Sequence, residues 1–332
     1  MKNFRPIRLK DIYTARRRIS EIAQRSPLIY SSVLSERLGS AVYLKLENLQ
    51  PTGSFKIRGA ANAILGLSPD QKSRGVIAFS TGNHGRAVAY VAGRLGIKAV
   101  ICLSKRVPAY RVNAMQKLGA EVVQRGNSQD EAYEYALEIR EKSGLTMVNP
   151  FDDPLVIAGQ GTIALEVAED LPDVTSVIVP VSGGGLISGI AVALKSINPD
   201  VAVTGVSMDC APAMFHSLQA GKPVEIEEKD SLADALLGGI GLDNRFTFQL
   251  VRDYVDRIIL VSEREIADAM FFCLDQQRLA IEGAGAVGVS AILTEKIRDP
   301  GSKTVVVLSG GNVDTATLVQ IANKRYGNKN EK

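Results

Sequence analysis

One lysine, Lys56, stands in PTGSFKIRGA (residues 51–60) between apolar Phe55 and Ile57, with Gly53 and Gly59 close by. Lysines ordinarily sit among polar neighbours, and glycines cost conformational entropy unless backbone must approach something closely. An amine placed this way can form a Schiff base with a carbonyl compound, or act as a base once burial lowers its pKa. It can equally be a solvated lysine at a loop-to-helix junction. A second candidate is SGGGLISG (182–189), which follows the apolar run SVIVPV and opens the helical stretch IAVALKSI. Successive glycines leave N–H groups free to point inward, and the helix start adds its positive dipole end, so the turn can cradle a phosphate. Gly183, Gly185 and Gly189 also approximate a dinucleotide fingerprint, with Asp209 near the end of the next strand. In that reading the third glycine comes one position late and the turn lies mid-chain. A purely structural tight turn is the third reading. Three more glycine-marked turns stand out: STGNHG (80–85) after VIAF, GGIG (238–241) in a loop after an expected helix containing LADAL, and SGGN (309–312) after TVVVL.

The elements that must position these residues are legible as alternating patterns. VIAFS (76–80), AVICLS (99–104), AEVVQRG (120–126), SVIVPVS (176–182), AVTGVS (202–207) and TVVVLSG (304–310) read as buried parallel strands. Further strands are expected near Tyr43, Met147 and Ile259. Ser128 with Glu131, and Ser262 with Glu265, fit capping boxes ahead of helices over 129–142 and 263–278. This alternation predicts an α/β protein with helices on both faces of parallel sheets. So many strands exceed one compact sheet, so two domains are expected. In such folds ligands sit at the carboxyl ends of strands, which is where the glycine turns occur.

Composition narrows the chemistry. The 332 residues carry a formal charge of only +3 with acids and bases interleaved, so a nucleic-acid or anionic-membrane surface is not expected. No apolar run reaches the roughly 18 residues that span a bilayer, and MKNFRPIRLKDIYTARRRIS lacks the apolar core of a signal peptide; a cytoplasmic protein is expected. Cys102, Cys210 and Cys273 lie in apolar stretches without CxxC spacing and are expected to be reduced, buried and inert. Only His84 and His216 are available as histidine ligands, so no metal centre is expected. An apolar-flanked lysine, a phosphate cradle and no metal ligands together suggest pyridoxal 5'-phosphate, which needs a lysine for its aldehyde and a partner for its ring nitrogen.

GSFKIRGA, STGNHG, PFDDPLVIAGQGT, VPVSGGGLISGI and VVLSGGN, in this order, resemble the motifs of the serine/threonine dehydratase family, within the fold type II pyridoxal-phosphate enzymes. The resemblance covers about residues 15 to 320. Within the family, NAMQKLGAEV, SQDEA, GVSMD and LGGIGLDNR look most like the hydroxyectoine-utilisation dehydratases, beside catabolic threonine dehydratases and serine racemase. The resemblance implies a tryptophan synthase β-like fold of two three-layer αβα domains. Residues 1–69 and 149–325 would form a large cofactor-binding domain and 70–148 a small mobile one. It also implies a homodimer or homotetramer.

Carried over by motif, Lys56 would hold the cofactor covalently and act as base, and Phe55 would pack on the ring. Asn83 would hydrogen-bond the ring hydroxyl. Gly183, Gly184, Gly185 and Leu186 would cradle the phosphate, and Ser309 would meet the ring nitrogen. Ser80, Thr81, Gly82 and His84 would form the loop receiving the carboxylate of a small amino-acid substrate. Thr81 would either bind that carboxylate or act as acid and base on the ring face opposite Lys56; His84 would either pack the loop or touch substrate. The implied reaction is dehydration of a 3-hydroxy amino acid to a 2-oxo acid and ammonia. Racemisation of serine or aspartate, β-replacement, and a non-enzymatic dinucleotide-binding module are the rival readings. Two departures stand out. The family's cation position reads Ser207, Ala211 and Ala213, without a carboxylate. Pro51 and Arg86 replace a lysine and a glutamine of the racemase nucleotide site, although Ser31, Ser32 and Thr52 are retained. Cation or nucleotide activation is therefore not expected.

Overall fold

The order of strands places every glycine turn along one cleft. A computed structural model describes residues 7–80, 82–127 and 129–327, whose ten strands are β1 (Leu28–Tyr30), β2 (Ala41–Leu46), β3 (Val76–Phe79), β4 (Ala99–Leu103), β5 (Glu121–Gln124), β6 (Thr146–Met147), β7 (Ser176–Pro180), β8 (Ala202–Met208), β9 (Arg257–Val261) and β10 (Lys303–Leu308). They form a six-stranded sheet in the order β1-β2-β10-β7-β8-β9 and a four-stranded sheet in the order β5-β4-β3-β6. All pairings are parallel except β1 with β2. The three-residue antiparallel β1 carries too short a pattern to be read from sequence.

Within β10, Val305 and Val307 point into one buried apolar layer while Val306 and Leu308 point into the other. The four-stranded sheet behaves alike: Val76 and Ala78 face one core, Ile77 the other. Side chains alternate across a strand, so an unbroken Val/Ile/Leu run is what a sheet covered on both faces requires. Helix starts follow local chemistry. Ser262 Oγ accepts from Glu265 N while Glu265 Oε2 accepts from Ser262 N at 2.6 Å, closing the expected capping box ahead of helix Glu263–Gln277. The other expected cap, Ser128, lies outside the described residues. LADAL forms no α-helix; Asp234–Leu236 is one turn of 3-10 helix before the GGIG loop.

Helix Lys56–Leu65 is fixed by Arg58, one of the largest fully buried side chains. Its guanidinium donates to Glu47 Oε2 at 2.8 Å, Glu166 Oε1 at 2.6 Å and Thr162 Oγ1 at 3.0 Å. Lys45, equally buried, reaches Glu166 at 2.7 Å and the Ser26 carbonyl at 2.6 Å. Charges withdrawn from water persist only when paired and hydrogen-bonded, and these are. The cluster ties the Lys56 helix to β2 and to helix Pro154–Asp170.

Candidate active site

Lys56 is the first residue of its helix, at the junction its sequence suggested. Three main-chain links bind the approach loop to the turn after β10. Phe55 N donates to the Ser309 carbonyl at 3.0 Å, Gly311 N donates to the Gly53 carbonyl at 2.9 Å, and Ser54 bridges Gly310. Lys56 and Ser309 are thereby held as one unit. The half-buried Lys56 Nζ donates to the Pro150 carbonyl at 2.7 Å and lies 5.3 Å from the centre of the Phe55 ring. Burial pushes its pKa down to about 8, with the negative charge of Glu282 opposing.

On the opposite wall, β7 runs into the glycine turn and helix Gly185–Ile197. Gly184 has φ +86°, a conformation that a side chain would strain, and a Cβ on Gly183 would lie 2.5 Å from the Phe151 ring. Only glycine lets the backbone lie this flat. The first N–H groups of a helix have no partner within it, so this wall offers donors and the positive dipole end. Asp152 fixes the facing segment by accepting from Arg245 N, Phe246 N and Thr247 N at 2.7 to 2.9 Å.

From the four-stranded sheet, β3 ends at Phe79, with Ser80 next in the chain, and helix Asn83–Arg94 begins just beyond. Gly82 N donates to Ser80 Oγ at 3.3 Å. Thr81 lies outside the described residues. Burial, reinforced by the Lys56 charge, pushes the His84 pKa down to about 3 despite the Val148 carbonyl 2.8 Å from Nε2. The ring is therefore neutral at physiological pH, and its buried Nδ1 meets no protein partner. Such a group accepts a hydrogen bond but is too weak a base to hold a proton at pH 7.

These residues converge on one cavity of about 1560 Å³. Its walls include Phe55, Lys56, Ser80, Gly82, Asn83 and His84, as well as Gly183, Gly184, Gly185, Leu186 and Ser309. Sequence reasoning missed Glu282 and Asn312. The buried Glu282 accepts from Asn83 Nδ2 at 2.7 Å and from Asn312 N at 3.1 Å. Its only sequence signal is an acid before the small-residue run GAGAVG, which reads as an ordinary helix start. Also unforeseen is an ion pair across the cleft, where Arg111 of helix Ala109–Gln116 meets Asp234 at 2.6 Å.

The residues present fit a phosphate-bearing aldehyde. The amine is barely tethered, the glycine wall would be blocked by any Cβ, and the buried Ser309 adds a neutral hydroxyl residue to the lining. Over residues 19–311 the sequence matches the family described as pyridoxal-phosphate dependent enzymes. The chain belongs to that family. It is 50% identical over 318 residues to L-threonine ammonia-lyase of Thermotoga maritima, covering 96% of this chain and 79% of that protein. It is 40% identical over 318 residues to the catabolic L-threonine dehydratase of Escherichia coli K12, covering 95% and 96%. Among solved structures, maize serine racemase superposes with a TM-score of 0.90 at 34% identity, covering 98% of this chain and all of that one. The protein is a pyridoxal-phosphate-dependent lyase of fold type II.

Cys102 and Cys273 are buried, which pushes their thiols up to about 11 and about 12; Cys210 is only half-buried. Ser207, Ala211 and Ala213 are all buried. Ser31 caps helix Ser32–Leu38 by accepting from Leu34 N, a structural use that accounts for it without a nucleotide. Arg86 donates to Asn312 Oδ1 at 2.7 Å. No helix among the described residues is long and apolar enough to cross a membrane.

Proposed function

We propose that the protein dehydrates a 3-hydroxy amino acid of the threonine or serine type to a 2-oxo acid and ammonia. The observation that carries this reading is the Lys56 amine, weakened as a cation to about 8 and held by a single carbonyl, facing a glycine cradle across the cavity. Bound pyridoxal phosphate supplies an electron-withdrawing ring, joined to the substrate nitrogen, that stabilises charge developing at the α-carbon. The chain supplies the rest. Lys56 anchors the cofactor and then, freed, takes the α-proton at Nζ; an amine titrating near 8 is a usable base at physiological pH. Gly183 to Leu186 bind the phosphate by backbone N–H groups, and Phe55 packs against the ring. Ser80, Gly82 and Thr81 receive the substrate carboxylate at the start of helix Asn83–Arg94, where the dipole favours an anion. Ser309 would hold the ring nitrogen through a neutral hydroxyl, and the β-hydroxyl would leave as water with the proton taken up at Lys56 Nζ. The released enamine hydrolyses to the 2-oxo acid and ammonia.

Residues 1–69 and 149–325 would act as the cofactor-binding domain, with 70–148 closing over substrate. The chain would act as a cytoplasmic homodimer or homotetramer. Measuring 2-oxo acid release from threonine, serine, 3-hydroxyaspartate and hydroxyectoine-derived amino acids tests the reading and selects the substrate. Release from threonine or serine is expected, and no release from any member of the panel would reject it. The likeness to maize serine racemase favours a second, slower reaction, α-racemisation with Thr81 as the opposing proton donor. L-Serine in D₂O should then give deuterated D-serine, and Thr81→Ala should remove it while sparing 2-oxo acid formation.

A further inference from the structure

Glu282 is the residue before helix Gly283–Leu293, yet its carboxylate does not cap that helix. It turns into the cleft, where Oε1 accepts from Asn83 Nδ2 and Oε2 from Asn312 N. Gly310 makes room for it, since a Cβ there would overlap Oε1. Asn312 completes the hold: its Nδ2 donates to Asn83 Oδ1 at 2.6 Å and to the Thr52 carbonyl at 2.9 Å, and its Oδ1 accepts from Arg86. The Asn83 amide is thus committed at both ends. Its oxygen faces an N–H, its nitrogen faces a carboxylate, and the amide keeps one N–H in reserve.

We propose that Glu282 is a positioning residue that fixes the polarity of the Asn83 amide, so that the remaining N–H, never the oxygen, is presented to the ring oxygen of pyridoxal phosphate. This rests on the reading that Asn83 meets the cofactor. Burial, followed by the charge of Asp234, raises the Glu282 carboxyl to about 7, with Asn83, Asn312 N–H and Arg111 opposing. Lys56 and, through Asn312, Arg86 are the other charged groups that face the network. Above that value the carboxylate accepts two charge-assisted hydrogen bonds; below it the neutral acid holds Asn83 less firmly. Cofactor affinity should therefore fall as pH drops through 7.

Equilibrium dialysis with pyridoxal phosphate between pH 6 and 8.5, with the visible absorption of the bound cofactor, tests this on wild type, Glu282→Gln, Asn312→Ala and Asn83→Ala. Melting temperatures confirm that each variant is folded. Glu282→Gln keeps the shape but must set an N–H against one of its two donors, so its Kd should rise about tenfold at pH 8. It should also lose the part of the pH dependence centred near 7. Asn312→Ala should bind more weakly yet keep that dependence. Wild-type affinity and pH response in Glu282→Gln would overturn the inference while leaving the proposed reaction standing. Wild-type affinity in Asn83→Ala would overturn the reading of Asn83 and the inference together. Should Glu282→Gln fail to fold, Asn312→Ala decides: weaker binding supports the proposal, and unchanged binding overturns it.

Discussion

Lys56 carries two separable expectations. Lys56→Met removes both tether and base, so 2-oxo acid release should vanish together with the visible band of bound cofactor; turnover at the wild-type rate would reject the assignment. The second concerns the chain without cofactor. The folded lysine titrates near 8, below its ordinary 10.5, so between those values the unfolded chain binds the extra proton and stability rises with pH. Thermal melts should find Lys56→Met more stable than wild type at pH 7, with the gap narrowing as pH climbs from about 8 to 10.5. A gap that stays constant over this window would show that the amine is solvated, because folded and unfolded chains would then bind the proton equally. At this scale the sequence is legible where backbone conformation constrains residue type, as in the φ of +86° at Gly184, and silent where a side chain acts through its neighbours. Glu282 gives no periodic or glycine signal because its partners, Asn83 and Asn312, come from distant parts of the chain.

The helix that begins with Lys56 depends on a buried ion cluster two residues further on. Arg58→Met would leave Glu47 and Glu166 without their main counter-charge, and breaking such a pair costs about 3–5 kcal/mol. Urea unfolding should show that loss, and a change below ~1 kcal/mol would mean the cluster relaxes freely. Burial alone would raise the Glu166 carboxyl, but Arg58 and Lys45 draw it below its ordinary 4.5. Its contribution is therefore complete above 4.5 and is lost as pH falls through the lower folded value. Strands such as β7 and β10 were legible because a sheet covered on both faces demands unbroken apolar runs. LADAL misleads because four apolar residues around a single aspartate fit a helical pattern, whereas only one 3-10 turn forms there and Asp234 pairs with Arg111.

Across the whole molecule, the Arg111–Asp234 pair joins the two sheet units at the mouth of the cavity. Both side chains are partly exposed, so the pair is worth about 0–1 kcal/mol. Arg111→Gln should raise KM by up to about fivefold with little change in kcat, and added salt should do the same to wild type. Equal losses in kcat and kcat/KM would place Arg111 in the chemistry instead. Since Ser207, Ala211 and Ala213 provide no carboxylate for a hard cation, activity should survive EDTA; inactivation reversed by Mg²⁺ would count against this. The stitch between residues 53–55 and 309–311 also bears on biosynthesis. Lys56 leaves the ribosome about 250 residues before the turn that clamps its loop. At ~5–20 residues per second, that interval is on the order of 10–50 s. Throughout it the lysine loop lacks its partner and β2 lacks its neighbour β10. Cofactor capture thus belongs to the finished polypeptide, and a nascent chain stalled before residue 303 should emerge colourless from pyridoxal phosphate, whereas one released beyond residue 312 should turn yellow.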